Sequence, residues 1–311
     1  MSERKSARER PERSWGRNPF EVIAYLAVAP LLRGLAHLPL RVLYRVSDLA
    51  FFVLYRVVRL RRAIVRDNLR SSFPDATPAE LERIAERCYR NQCDVAVEWL
   101  RLMAMSEAEI RERVSVDLEI AHQLYERRQS AIFVLGHCGN WEWAIPIAVL
   151  AFPSVLIHVI YHPLRHTGFD WLVYSVRARF GGKFTRIDRA PRAIVGVRKE
   201  LAATFLVADQ RAHSRNAYIT RFFGRPTAFV RGPERLARSL GAPVVYVEMR
   251  RIERGRYDVH LEWLCEDPSA TRDGEITERF ARRLEQQIRK APDDWLWLHR
   301  RWRDRRAERA S

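Results

Sequence analysis

The chain has 311 residues, of which 47% are hydrophobic and 30% are charged. This balance excludes an intrinsically disordered chain and a protein that crosses a membrane many times, and the length fits one large or two smaller domains. The formal net charge is +17, and all but four of the 55 basic residues are arginines. A negative partner is therefore expected, such as a nucleic acid, an anionic lipid or an acidic carrier protein.

The N-terminal region combines a basic segment with apolar blocks. Residues 1–17 are polar and arginine-rich, which predicts a disordered basic tail without a secretory cleavage pattern. Residues 18–62 contain three apolar blocks, each shorter than the roughly 20 residues of a spanning helix. Arginines separate the blocks, which favours membrane-associated helices with guanidinium groups at the lipid headgroups. Helices buried in an ordinary core are the alternative.

The middle of the chain alternates between short apolar runs and helical stretches. A capping box at Thr77 and Glu80 predicts the start of a long helix. The alternation that follows predicts an α/β fold, with a mostly parallel central sheet flanked by helices. Residues 256–263 alternate polar and apolar side chains, which suits an antiparallel or edge strand. The predicted buried strands are 131–136, 155–160, 203–208 and 243–248, and the predicted helices between them are 141–150, 170–180, 191–201 and 232–240.

The C-terminal region and the cysteines add few constraints. Residues 300–311 predict a second basic tail. The four cysteines form no C-x-x-C pair, so neither a zinc ribbon nor a disulfide framework is expected, and a reducing compartment is the default. No glycine-rich nucleotide loop is present. No cofactor and no metal site are therefore expected.

The most informative stretch, GHCGNWEW, begins where the first predicted strand ends. His137 would lie at the carboxyl end of a parallel strand, where open α/β sheets bind ligands. Glu142 would lie in the first turn of the next helix, from which its carboxylate can fold back to the imidazole. Such a pair fixes the tautomer and stabilises the imidazolium, so we predict that His137 is a general base oriented by Glu142.

Three other interpretations compete with this dyad. Cys138 could act as a nucleophile beside His137 and form a covalent acyl intermediate. A zinc site built from His137, Cys138 and Glu142 lacks the usual ligand spacing. A nucleic-acid binder is suggested by the charge alone, because the sequence has no helix-turn-helix, zinc-finger or RNP signature. No nucleic-acid partner is expected.

Several motifs together resemble a known family. GHCGNWEW resembles the signature of the lipid A late acyltransferases, the Kdo-dependent lauroyl/myristoyl acyltransferases of Gram-negative bacteria. These enzymes are part of the wider H-x4-D/E glycerolipid acyltransferase superfamily. Further segments that are similar to the family's blocks are RDNLRSSFP (66–74), YHPL (161–164), ADQ (208–210), FFG (222–224) and WLWLHRRW (295–302).

The resemblance implies an O-acyltransferase domain at 63–299. His137 and Glu142 would be catalytic, and attack on the donor would be direct. The donor would be an acyl thioester, on acyl carrier protein or CoA, and the acceptor a hydroxyl of an anionic lipid A precursor at the cytoplasmic face of the inner membrane. A second interpretation is acyl-CoA-dependent acylation of another membrane glycolipid, such as a phosphatidylinositol mannoside.

The resemblance also implies substrate-binding residues. Backbone N–H groups near Gly139 and Asn140 would stabilise the oxyanion, and Trp141 would line an acyl channel. Arg177 and Arg179 would grip a phosphate of the acceptor or of the donor's phosphopantetheine arm. In the ADQ block, Asp209 would bind sugar hydroxyls or orient an arginine, and Gln210 would also contact substrate.

Overall fold

The structure is a computed structural model that describes residues 19–164, 166–197, 200–212 and 217–302. The tail predicted at 1–17 lies outside these residues. The described helices are α1 (Pro19–Ala36), α2 (Leu40–Phe51), α3 (Arg62–Ser72), α4 (Pro78–Leu102), α5 (Glu107–Arg113), α6 (Glu119–Glu126), α7 (Trp141–Ala151), α8 (Thr167–Arg177), α9 (Ala190–Val197), α10 (Gly232–Leu240) and α11 (Glu275–Lys290). The described strands are β1 (Val114–Val116), β2 (Ala131–Leu135), β3 (Leu156–Tyr161), β4 (Lys183–Arg186), β5 (Ala202–Val207), β6 (Tyr218–Phe222), β7 (Arg225–Phe229), β8 (Val244–Glu253) and β9 (Arg256–Cys265).

A seven-stranded sheet with the order β1-β9-β8-β2-β5-β3-β4 forms the centre of the protein. The strands from β8 to β4 are parallel to one another, whereas β9 returns antiparallel to β8 and pairs in parallel with β1. Large apolar clusters cover both faces of the sheet. The predicted α/β class with a mostly parallel sheet and flanking helices is confirmed.

The strands that the sequence predicts are the long apolar ones. The four predicted buried strands correspond to β2, β3, β5 and β8, and the alternating segment is the antiparallel strand β9. The prediction missed β1, β4 and the separate hairpin β6–β7. β1 has only three residues, and the four residues of β4 begin with Lys183 and end with Arg186. Neither segment is long or apolar enough to show a strand pattern.

The long helix α4 starts at the predicted capping box. The Thr77 hydroxyl accepts a hydrogen bond from the Glu80 backbone N–H, and the Glu80 carboxylate accepts one from the Thr77 N–H. Pro78 occupies the first helical position. α4 has 25 residues and carries Asp94 and Glu98 as buried carboxylates near its C-terminal end.

The helices α1 and α2 pack on α4 and leave an apolar outer surface. In α2, Leu43 and Ser47 face inward and are buried, whereas the outer side chains include arginines such as Arg41 and Arg45. Within the described ranges, none of the helices combines the length and the apolarity that crossing a membrane requires. The exposed large apolar side chains of this region include Leu26, Leu31, Val42, Val46, Leu49, Phe52, Val57 and Val58.

The segment after α11 is folded further than predicted. Trp295 forms an isolated antiparallel bridge with Cys138, and the Asn68 side chain donates hydrogen bonds to the Trp297 and His299 carbonyls. Arg301 is buried, and the Trp302 indole donates to the Thr227 hydroxyl. Residues 301 and 302 were predicted to be part of a basic tail, but they pack against the protein. The run of charged residues gave no sign that Arg301 is buried. Residues 303–311 lie outside the described residues.

Candidate active site

Two adjacent parallel strands bring His137 and Asp209 together. β2 ends at Leu135 and β5 at Val207, and these residues are partners in the sheet register. The Ala208 N–H donates to the Leu135 carbonyl, which continues the pairing beyond the strand ends. His137 and Asp209 follow at equivalent positions at the carboxyl edge of the sheet. This is the edge where open α/β sheets bind ligands.

The His137 imidazole is held by Asp209. The His137 Nδ1 atom is 2.5 Å from Asp209 Oδ1, and the His137 backbone N–H donates to Asp209 Oδ2 at 2.9 Å. The indole N–H of Trp295 also donates to Oδ2, at 2.8 Å. A carboxylate at Nδ1 fixes the tautomer with the proton on Nδ1, so that Nε2 carries the free lone pair.

The environment of Asp209 keeps it ionised. Burial by itself favours the neutral carboxyl, because Asp209 is only 2% exposed. The His137 ring and the neighbouring N–H donors outweigh this effect and lower the pKa of Asp209 to about 2. A buried carboxylate of this kind stabilises the imidazolium that forms when Nε2 takes up a proton.

The Nε2 atom of His137 lies beside the exposed residue Gln210. The His137 side chain is 15% exposed, and the Gln210 side-chain amide nitrogen lies 3.3 Å from Nε2. Trp141 packs its ring edgewise on the imidazole, with the ring centroids 4.8 Å apart. Gln210 is exposed and Trp141 is half-buried. Both predicted substrate-binding residues therefore contact the His137 imidazole.

Glu142 is not the partner of the imidazole. Its carboxylate accepts two hydrogen bonds from Arg177, at 2.8 Å from Nε and 2.5 Å from Nη2. The predicted contact from Glu142 to His137 was wrong, because Glu142 points across to α8 while Asp209 takes Nδ1. Asp209 was expected to bind sugar hydroxyls or orient an arginine, but its carboxylate binds the His137 imidazole instead. Arg177 is bound to Glu142, and its side chain remains 27% exposed.

One of the two predicted oxyanion donors is occupied by the protein itself. The Gly139 N–H donates to the Asp294 carbonyl, so it is not available to an oxyanion. The Asn140 side chain is fully buried and donates to Glu98, whereas the role expected of its backbone N–H stays a prediction. At Gly139, φ is +55° and a Cβ atom would lie 3.1 Å from the Met249 carbonyl oxygen, so the turn requires glycine.

Arg179 also has a structural role instead of the predicted phosphate contact. Its Nη1 atom donates to the carbonyls of Leu102 and Met105 at the C-terminal end of α4. The last carbonyls of a helix lack intrahelical partners, and a guanidinium satisfies them well. Arg179 therefore caps α4.

Cys138 is embedded in the core below the site. It is 2% exposed, and burial raises the pKa of its thiol well above the ordinary value, with Asp209 adding to the effect. A thiol in such a place stays protonated and is a poor nucleophile. Across the described ranges, no three His, Cys, Asp or Glu side chains are grouped closely enough to hold a metal ion.

Substitution of Cys138 tests the covalent alternative. We expect Cys138→Ala to keep at least about half of the wild-type kcat, because the buried thiol does not enter the reaction. Cys138→Ser should behave similarly in kcat, although its buried hydroxyl lowers the stability. Steady-state kinetics of both folded variants provides the measurement. Loss of all activity in both would favour an acyl-cysteine intermediate.

The sequence did not predict three hydrogen bonds at the candidate site. These are the bond from Asp209 to His137, the Trp295 indole behind it, and the bond from Glu98 to Asn140. A signal for the first existed, since His137 and Asp209 each directly follow a predicted buried strand. The other two depend on segments far away in the chain, and no local pattern marks them.

The comparisons with known proteins agree on one family. Residues 12–304 match the family model described as bacterial lipid A biosynthesis acyltransferase. The chain is 24% identical over 241 residues to a lipid A biosynthesis myristoyltransferase of Escherichia coli, covering 76% of this chain and 73% of the relative. It is 22% identical to an E. coli lipid A biosynthesis palmitoleoyltransferase, covering 80% of each chain. A lipid A biosynthesis acyltransferase of Haemophilus influenzae is 25% identical over 82% of this chain and 81% of its own length.

Proposed function

The chain belongs to the family of bacterial lipid A biosynthesis acyltransferases, and on that premise we propose that His137, oriented by Asp209, is the general base of the acyl transfer. The donor is a fatty acyl thioester, and the acceptor is a hydroxyl group of a lipid A precursor. The single observation that carries this proposal is the 2.5 Å contact between His137 Nδ1 and Asp209, which leaves the Nε2 lone pair for a substrate proton.

The reaction follows from this arrangement. His137 Nε2 removes the proton of the acceptor hydroxyl while the oxygen attacks the thioester carbonyl carbon. The new C–O bond forms, and the tetrahedral intermediate collapses with cleavage of the C–S bond. The departing thiolate takes the proton from the imidazolium, which restores the neutral imidazole. Gln210 would leave Nε2 when the substrate hydroxyl arrives.

The start of α7 offers the donors for the oxyanion. The backbone N–H groups of Trp141 and Glu142 begin this helix, and first-turn N–H groups have no intrahelical acceptor. The positive end of the α7 dipole lies at the same N-terminus and also favours a negative oxygen there. Since the Gly139 N–H is occupied by Asp294, these two groups replace it as the proposed stabilisers of the negative oxygen.

Arg177 supports recognition of an anionic acceptor. Glu142 holds its guanidinium in a fixed plane through Nε and Nη2. Its Nη1 edge keeps its donors for a phosphate of the glycolipid or of the donor arm. The Glu142–Arg177 pair would then act in substrate binding, whereas the Asp209–His137 pair carries out the proton transfer.

The membrane surface and an acidic donor protein are the proposed partners. The outer faces of α1 and α2 combine exposed apolar side chains with arginines, a pattern that supports binding in the interface of an anionic bilayer. The net charge of +17 also favours acyl carrier protein as the donor. Both partners indicate the cytoplasmic face of the inner membrane.

A two-part experiment tests this function. Purified full-length protein is incubated with a lipid A precursor in mixed micelles and with the same acyl chain on either acyl carrier protein or CoA. Mass spectrometry should detect a product heavier by one acyl group, with the carrier protein as the better donor. Lipid A from cells without the gene should lack that chain. An unchanged lipid A pattern together with an altered second glycolipid would overturn the assignment of the acceptor.

A further inference from the structure

Glu98 is a buried carboxylate at the junction of three elements. It is 0% exposed and accepts hydrogen bonds from Tyr44 of α2 at 2.8 Å, Tyr257 of β9 at 2.6 Å and Asn140 before α7 at 2.8 Å. It forms no ion pair among the described residues. Burial raises the pKa of Glu98, and its hydrogen bonds together with the charge of Arg251 offset this effect only in part. A buried carboxylate without an ion pair is costly, so its three donors must compensate.

The Asn140 side chain binds Glu98 instead of capping α7. It precedes α7, where an asparagine side chain usually caps the first turn, yet its side chain makes no capping hydrogen bond. Its amide nitrogen points to Glu98 instead, and its buried amide oxygen has no partner among the described residues. An asparagine with one orphaned buried oxygen is unfavourable for stability. The contact to Glu98 is therefore the favourable polar interaction that holds this side chain in place.

The contact sets the position of the catalytic turn. Residues 136–140 connect β2 to α7, and Asn140 precedes the first residue of the helix. The start of the helix determines where the Trp141 ring meets the imidazole and where the first N–H groups of α7 are directed. We propose that Glu98 is a positioning residue. It acts through Asn140 to keep the His137 imidazole and the first N–H groups of α7 at fixed positions relative to each other. This inference rests on the proposed function of His137.

An exchange of donor and acceptor tests the contact. In Asn140→Asp at pH 8, two carboxylates face each other, and kcat should fall by about 100-fold because the turn shifts. In the double variant with Glu98→Gln, the new amide donates to the carboxylate introduced at position 140, and kcat should recover to within about fivefold of the wild type. Glu98→Gln alone should stay within about fivefold, since its amide oxygen can accept from Asn140 and its amide nitrogen can donate to Tyr44. The KM for the thioester should change less than about twofold throughout, because Glu98 and Asn140 are buried away from substrate.

Glu234 provides a matched control. It is also a buried carboxylate with three donors, from the Gly274 N–H, the Thr277 N–H and the Thr277 hydroxyl, but it caps α11 away from the site. Glu234→Gln should lower the melting temperature and leave kcat unchanged. The control therefore shows whether lost stability by itself lowers kcat, so that the fall in kcat expected for Asn140→Asp can be assigned to the position of the turn.

A spectroscopic readout separates this inference from the proposed reaction. The ¹⁵N shifts of the His137 imidazole report its tautomer and surroundings without any substrate. They should move in Asn140→Asp and return in the double variant. If the wild type transfers no acyl chain but the shifts follow this pattern, the proposed function falls and the positioning role stands. If Asn140→Asp and the double variant have equal kcat and equal shifts, the positioning role is overturned. Should Asn140→Asp not fold, Asn140→Leu replaces it, and wild-type kcat with unmoved shifts there overturns the proposal too.

Discussion

Replacement of His137 by alanine is expected to lower kcat by about 10³-fold or more, because the reaction then lacks the base that activates the acceptor hydroxyl. The fold should survive, since the imidazole is partly exposed and its Asp209 partner keeps two other N–H groups within reach. Acyl transfer from radiolabelled donor to the lipid A precursor provides the measurement.

The control for this variant is thermal unfolding, which should stay within a few degrees of the wild type. His137→Gln is a useful companion, because it retains a polar side chain of similar size without a basic nitrogen. A folded alanine variant with more than about a tenth of the wild-type kcat would exclude His137 as the general base.

The Asp209→Asn substitution should lower kcat by about 10³-fold, almost as much as His137→Ala. The Oδ2 atom of Asp209 accepts both the His137 backbone N–H and the Trp295 indole N–H, so the oxygen of an asparagine must occupy that place. Its amide nitrogen would then face His137 Nδ1 and donate a proton to it. The ring would be forced into the tautomer with the proton on Nε2, which cannot accept one from the substrate.

Glu142→Gln is the matched comparison, because it changes an acid of the same motif that does not touch the imidazole. It weakens the bidentate pair with Arg177. We expect about a tenfold loss, mainly in kcat/KM, with the ¹⁵N signature of the His137 tautomer unchanged. A greater loss for Glu142→Gln than for Asp209→Asn, with a changed tautomer, would restore the dyad that the sequence predicts.

The contrast between these two acids explains what the sequence can and cannot reveal. The position of His137 at the carboxyl edge of the sheet was predictable, because a buried apolar run ends just before it and strand ends at this edge carry ligand sites. Its partner was not, because proximity in sequence favoured Glu142, five positions away, over Asp209, 72 positions away. Sheet register, which pairs Leu135 with Val207, decides the matter, and register between distant strands has no local signature.

The arginines illustrate a second limit. Their number predicts a negative partner, yet it does not tell which guanidinium groups are free. Arg179 donates hydrogen bonds to helix carbonyls, Arg283 to the buried Glu248, and Arg301 to the Ala228 carbonyl inside the core. Only tertiary packing distinguishes these from arginines that meet a ligand. The fold class required less information, because alternating apolar runs and helices leave few other arrangements.

The polar inner side of α2 has a practical consequence for anyone who wants a shorter, more tractable enzyme. Tyr44 donates to Glu98, and Ser47 donates to Asp94, each from a helix within the segment predicted to meet the membrane. Removal of residues 1–62 would strip one donor from each of these buried acids and uncover the apolar side of α4. Keeping residues 1–62 is therefore a better route to stable material than trimming the N-terminus.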